Sequence, residues 1–206
     1  PQIPIIEHAD VRRMLLFQRA FAEGSHSLLM QCCRYADLEI ASEGEQQQNA
    51  ALLLDLLTPV AKTYPSENSI LSTSAAMQCL GGYGYCDDFP VEQHFRDTRI
   101  HPIHEGTTGI QGMDLLGRKV IMKEGKAFDL YVGAVQKAAA EARSYPEMKP
   151  YADRLESALG KLQELTAELK KRAARRGMDV YLADATLYLD FFSLVTIAWQ
   201  WLLQAT

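Results

Sequence analysis

Apolar residues in this chain recur at every third or fourth position and almost nowhere at every second one. Val11, Met14, Leu15, Phe21, Ala22, Leu28, Leu29, Cys32 and Tyr35 make one such stripe. It predicts a long amphipathic helix over residues 9–42, closed by Gly44. A second stripe, Leu52, Leu53, Leu56, Leu57 and Val60, predicts a helix over 45–63. Pro59 lacks a backbone donor and should kink it. Tyr64-Pro65 reads as its end, and Ser66 as the N-cap of a third helix that stops at Gly81-Gly82. A short helix over 90–99 follows, broken by Pro102, and another runs from Glu105 or Gly106 to about Lys123.

The pattern changes after Gly125. Residues 127–143 are Ala-rich, and Leu155, Leu159, Leu162, Leu165 and Leu169 set a regular stripe over 150–175. Gly177 ends that helix, and residues 179–203 form a last, very apolar one. The expected fold is all-α: an up-down helical bundle over residues 1–124, then a three-helix extension over 125–206. Phe191, Phe192, Trp199 and Trp201 leave the last helix apolar nearly all round, so it should pack rather than trail free.

Composition narrows the function classes. A hydrophobic content of 48% in 206 residues supports a real core. The net charge of -5 argues against a nucleic-acid partner. The basic cluster Lys170, Lys171, Arg172, Arg175 and Arg176 reads as a solvated helix end. Cys32, Cys33, Cys79 and Cys86 fit no zinc spacing and read as reduced, mostly buried thiols of a cytoplasmic protein. No secretory leader is read in the first ten residues, and the missing methionine suggests a piece of a longer chain. The apolar run 191–203 is short of the ~20 residues of a membrane span and is interrupted by Ser193, Thr196 and Gln200, so no membrane is expected. Glu23-x-x-His26 has the spacing of a di-iron ligand pair but stands alone, and no metal is expected. Arg96, Asp97 and Arg99 read as a structural ion-pair network.

The chemistry lies in residues 77–118. Gln78-Cys79-Leu80-Gly81-Gly82-Tyr83-Gly84-Tyr85 comes first, then Arg96-Asp97-Thr98-Arg99-Ile100. Ile103-His104-Glu105-Gly106-Thr107-Thr108-Gly109-Ile110-Gln111 completes the set. Singly each is weak; a Gly-rich loop is often only a turn. In this order and spacing they resemble the C-terminal domain of the acyl-CoA dehydrogenase family, whose patterns Q-x-x-G-G-x-G-[YF], R-D-x-[RK]-I and I-Y-E-G-T-x-x-I-Q they match. His104 replaces the usual tyrosine. The run from Asp88 to Gln93, with Leu115-Leu116-Gly117-Arg118-Lys119, resembles a branch that carries a C-terminal extension and includes 3-methylmercaptopropionyl-CoA dehydrogenases.

The resemblance implies Glu105 as the catalytic base and FAD as cofactor. It implies flavin contacts from Gly106, Thr107 and Thr108, and from Gln78, Cys79, Leu80, Gly81 and Gly82 across a dimer interface. Glu105 and Gly106 would touch an acyl-CoA substrate. The implied partners are an electron-transferring flavoprotein and further copies of the chain, as a dimer or tetramer. The physical reading agrees. Oxidation of an acyl thioester at its α and β carbons needs a base for the α proton. A carboxylate on a Gly-flanked loop, desolvated by the acyl chain, becomes a stronger one. The Glu105 N–H could donate to the thioester oxygen as enolate charge develops. An oxygen-using acyl-CoA oxidase and a non-catalytic dimerisation module remain as alternatives.

Overall fold

The computed structural model describes residues 2–206, and no strand occurs among them. After a single turn at Ile5–Glu7, α1 (Ala9–Ala41) and α2 (Gly44–Leu80) form a long hairpin. The two-residue link 42–43 is too short for anything but an antiparallel return. A tight 3-10 turn (Gly81–Tyr85), α3 (Val91–Thr98) and α4 (Thr108–Asp114) follow. Then come α5 (Lys126–Ala142), α6 (Lys149–Arg176), α7 (Met178–Leu182) and α8 (Ala185–Ala205). The all-α expectation holds.

Three boundaries differ from the sequence reading. First, α2 does not stop at Tyr64-Pro65; it runs unbroken through Pro59 and Pro65. Leu56, Leu57 and Val60 are fully buried on one side of the break and Ser66 is buried on the other. That packing outweighs the lost backbone bonds, which proline removes at its own position only. Ser66 is no N-cap: its hydroxyl bonds back to Lys62 O at 2.7 Å and Thr63 O at 3.1 Å. Second, α4 does not continue evenly to Lys123. Over Leu115–Lys119 it widens into a π turn, where Val120 N–H reaches Leu115 O, five residues back, at 3.0 Å. Third, the last helix breaks at residues 183–184 into α7 and α8.

One continuous core joins residues on both sides of Gly125. Leu28, Leu56 and Leu57 of the hairpin share it with Leu116, Tyr131, Leu159, Leu162 and Phe192. Helix α8 lies at its centre, touching α1, α2, α4, α5 and α6. Gly24 of α1 admits Ile197 and Trp201, and Gly112 of α4 lies against the Ala185 carbonyl. In length and composition α8 is apolar enough to cross a membrane. Its 21 residues exceed the apolar run read from the sequence, yet Ser193, Thr196 and Gln200 within it are buried and each makes a hydrogen bond. Thr196 meets the Tyr131 hydroxyl at 3.0 Å, Ser193 bonds Leu189 O, and Gln200 accepts from Ser27 at 3.0 Å. That pattern belongs to a buried core helix.

Two smaller expectations are corrected. Only Cys32 is buried, and burial pushes its thiol up to about 11, with Cys33 adding to the rise; Cys33 and Cys86 are exposed. Of the presumed network only Arg96 pairs, with Glu92 at 2.6 Å; among the described residues Asp97 and Arg99 have no ion-pair partner. Spacing of charges along a short exposed helix does not fix which side chain turns to which.

Candidate active site

Lys62, Pro65, Ser66 and Ser69 of α2 form one wall of an open cleft of about 430 Å³. Phe21 of α1, Thr98, His101, His104 and Glu105 close the others. A larger concavity of about 670 Å³ lies between α6 and α8. It contains no carboxylate, its only charged side chain being Arg154, whereas the smaller cleft holds Glu105 beside His101 and His104.

Glu105 stands at the cleft's mouth in the left-handed region, with φ 54°. That conformation costs a side-chain-bearing residue on the order of 1–3 kcal/mol, and such strain concentrates at functional sites. Gly106 follows with φ 94°. The left-handed φ favours glycine there; a Cβ would also come within 2.9 Å of the Gln111 side-chain amide, which can shift. Consecutive left-handed residues turn the chain sharply between the 3-10-like turns ending at His104 and the start of α4.

The turn is held by its carbonyls and by one hydroxyl. Gln111 Nε2 donates to Glu105 O at 3.0 Å and Lys62 Nζ donates to Gly106 O at 2.7 Å. Thr108 Oγ1 donates to the Glu67 carboxylate. His104 is anchored too, its N–H on Ile100 O at 3.1 Å and its Nδ1 2.9 Å from the same oxygen. By contrast, among the described residues the backbone N–H groups of residues 107–110 donate to no backbone carbonyl. Free donors on a Gly-flanked turn that opens a helix can face anionic or polar ligand atoms. Behind the turn, Asp190 of α8 has its carboxyl pushed above the usual range, first by burial and then by the charge of Glu67.

The Gln78 loop lies elsewhere. Gly81 caps α2 with φ 61°, its N–H on Gln78 O, and a Cβ on Gly84 would come within 2.6 Å of Met77 O. The chain therefore doubles back against the end of α2. Gln78, Gly81 and Gly82 are exposed, Cys79 and Leu80 half-buried, and nothing blocks approach to Gly81 or Gly82. From Ser66, beside Glu105, to Leu80 is a helical rise of roughly 20 Å. The two stretches singled out in the sequence thus sit at different places. Glu105, Gly106, Thr107 and Thr108 are together in one turn; Gln78, Cys79, Leu80, Gly81 and Gly82 are not with them. Sequence reading missed Lys62 and Glu67. A signal for Lys62 exists: it is the one charged residue between Asp55 and Glu67 in an otherwise neutral stretch of helix.

Residues 2–121 match the family model described as the C-terminal domain of acyl-CoA dehydrogenase. The chain belongs to the acyl-CoA dehydrogenase family. Residues 131–206 match a second model, described as acetyl-CoA dehydrogenase C-terminal like. Among acyl-CoA dehydrogenases, a broad-specificity linear enzyme of Mycobacterium tuberculosis is 33% identical over 171 residues, 82% of this chain and 28% of that protein. The 3-methylmercaptopropionyl-CoA dehydrogenase of Ruegeria pomeroyi is 41% identical over 124 residues, 60% of this chain and 21% of that protein. The chain therefore spans between a fifth and a third of these relatives' length. The fold matches Caenorhabditis elegans ACDH-11, solved in complex with C11-CoA, with a TM-score of 0.70 and 24% identity over 93% of this chain and 35% of that one.

Proposed function

We propose that this chain is the C-terminal part of an FAD-dependent acyl-CoA dehydrogenase that converts an acyl-CoA to the 2-enoyl-CoA, with Glu105 taking the α proton. The observation that carries the reading is the Glu105 turn: a strained carboxylate residue at the mouth of a cleft, carbonyls tied back, N–H groups free. An exposed carboxylate in water is a weak base. A bound acyl chain closing the cleft would desolvate it and raise its affinity for the proton. Negative charge then develops on the thioester oxygen, which a free N–H of the turn can hold without reorganising.

The residues present fit a flavin. The free N–H groups of Thr107 and Thr108, next to Gly106, suit a polar ring edge, and the open Gly81-Gly82 backbone suits a phosphate or adenine approaching closely. Bound flavin would accept the β hydride, and the chain contributes position and electrostatics. Because the Gln78 loop is remote from Glu105 along α2, we assign it to the flavin of a second subunit, which makes a dimer or a multiple of one the working unit. Reduced flavin would pass its electrons to an electron-transferring flavoprotein.

The test is Glu105→Gln in the full-length enzyme. Flavin content should be unchanged, while anaerobic reduction by acyl-CoA slows by roughly 10²–10⁴-fold, the range of a lost general base. Flavin bleaching at the normal rate would remove Glu105 from the role.

A further inference from the structure

The carbonyls of the Glu105 turn are fixed by side chains that lie outside the motif itself. Lys62 is half-buried and, among the described residues, has no carboxylate partner; its ammonium is spent on Gly106 O at 2.7 Å. A peptide unit is planar and trans, so its C=O and N–H point in opposite directions. Pulling Gly106 O toward α2 therefore aims the Thr107 N–H away from α2. Five residues further along the same helix, Glu67 accepts the Thr108 hydroxyl. That step rises roughly 7.5 Å along α2, close to the roughly 7 Å an extended two-residue step from Gly106 to Thr108 can span. Thr107 between them is extended, with φ -63° and ψ 162°. The helix thus offers two anchors at the spacing the extended strand of the turn requires.

We infer that Lys62 and Glu67 are positioning residues, a two-point clamp by which α2 sets the direction of the turn's N–H groups and the place of the Glu105 carboxylate. The inference rests on Glu105 being the base. Neither residue touches the reacting atoms; both act through the turn. Without Lys62 the Gly106 carbonyl would be free to rotate toward solvent, and the strained φ of Glu105 would lose one of the bonds that sustains it.

The experiment uses the full-length flavoenzyme. Lys62→Met, Lys62→Arg, Glu105→Gln and the Lys62→Met/Glu105→Gln pair are compared by anaerobic stopped-flow flavin reduction with acyl-CoA, alongside flavin content. Lys62→Met should keep its flavin and lower the limiting reduction rate by about 10–100-fold, as a misplacement near 1 Å does. The half-saturating acyl-CoA concentration should stay within about threefold, since uniform binding is not what is lost. Lys62→Arg should recover most of the rate. In the Glu105→Gln background the same Lys62→Met change should cost clearly less than in the wild type, because the share of its effect that passes through the Glu105 carboxylate is already lost. Thr108→Val, which keeps the backbone N–H and the side chain's shape, reads the second anchor if Lys62→Met fails to fold; its limiting rate should also fall. Wild-type rates in Lys62→Met and Thr108→Val overturn the clamp, as does a full additional loss in the Glu105→Gln background. A normal rate in Glu105→Gln overturns the base reading instead, so the two failures are distinguishable.

Discussion

In α8 Ser193, Thr196 and the Gln200 side-chain carbonyl face the protein and are bonded; the apolar Leu187 and Leu194 face out. In the Glu105 turn the arrangement is reversed: the carbonyls face the protein and are bonded, and the N–H groups face out and are not. The first arrangement spends these polar groups on fixing one packing. The second keeps a set of donors unspent, and a residue strained, at the edge of the same structure. The difference teaches how a helical bundle carries a site. Strain at Glu105 persists because α2 and α4 hold its neighbours, and those helices are held in turn by α8.

That dependence gives the largest expected effect. Phe192 is fully buried and stacks on Tyr131 at a centroid distance of 4.6 Å. Phe192→Ala should cost about 3–5 kcal/mol, from lost burial plus an unfilled cavity. Urea unfolding of the 206-residue chain checks it. A loss under about 1 kcal/mol would mean that α8 is a docked appendage and not the centre of the core.

Next in size is the contact between the two regions. Gly112 lets α4 approach α8 so closely that a Cβ would come within 2.8 Å of the Ala185 carbonyl. Gly112→Ala should destabilise by about 1–3 kcal/mol despite alanine's better helix propensity, because backbone cannot step aside. A stabilised variant, as propensity alone would give, would show that α4 and α8 are not pressed together. The same contact links the site to the extension by a second route. Tyr181 donates to Leu116 O at 2.7 Å, a carbonyl exposed by the π turn, and Lys119 of that turn is buried against Asp55.

Much of this was legible in the sequence, and the rest was hidden for definite reasons. The stripe from Val11 to Tyr35 gave α1 within a residue, because an amphipathic helix on a core writes its period into the chain. The Gly-Gly and Glu-Gly-Thr motifs located both turns, because left-handed backbone needs particular residues. Pro65 misled, because burial of Leu57, Val60 and Ser66 around it is a tertiary fact. The π turn at Leu115–Lys119 leaves no compositional mark; within it Leu116 O accepts from Tyr181 and Lys119 meets Asp55, partners distant in the chain. Lys62 and Glu67 were passed over because on a helix a charge reads as solvated until its partner, 44 or 41 residues away, is known.

The turn itself supplies a smaller effect of opposite sign. Glu105→Gly removes the left-handed penalty of about 1–2 kcal/mol, less what glycine gains in the unfolded chain. The net change should be a stabilisation of about 0.5–1 kcal/mol, or a melting midpoint up by about 1–4 °C for a chain of this size. Glu105→Ala, which keeps a Cβ, should not share it. Gain in the glycine variant and none in the alanine variant would sharpen the contrast with α8, where every truncation is a loss.

The smallest effect concerns polar groups that are bonded yet solvated, at the turn between α5 and α6. Arg143 Nε meets Asp153 at 3.0 Å and its two terminal nitrogens grip Glu156. Arg143 holds the Glu156 carboxyl below the usual range, and Lys149 and then Arg143 do the same for Asp153. A carboxyl lowered on folding adds stability above its unfolded pKa and loses it as pH falls through the folded one. The contribution should therefore be complete at about pH 7 and fade below about pH 4, where both carboxyls take up protons even in the unfolded chain. Because these side chains are largely in water, much of the attraction is screened, and Arg143→Gln should lower the midpoint less than either core change. The deficit should shrink further in about 1 M salt, where the Debye length is roughly 3 Å. Melting curves of the two proteins at both pH values, with and without salt, test the sign. A deficit that grows on acidification, or that is indifferent to salt, would mean that Arg143 acts there through the packing of its methylene stem and not through its charge.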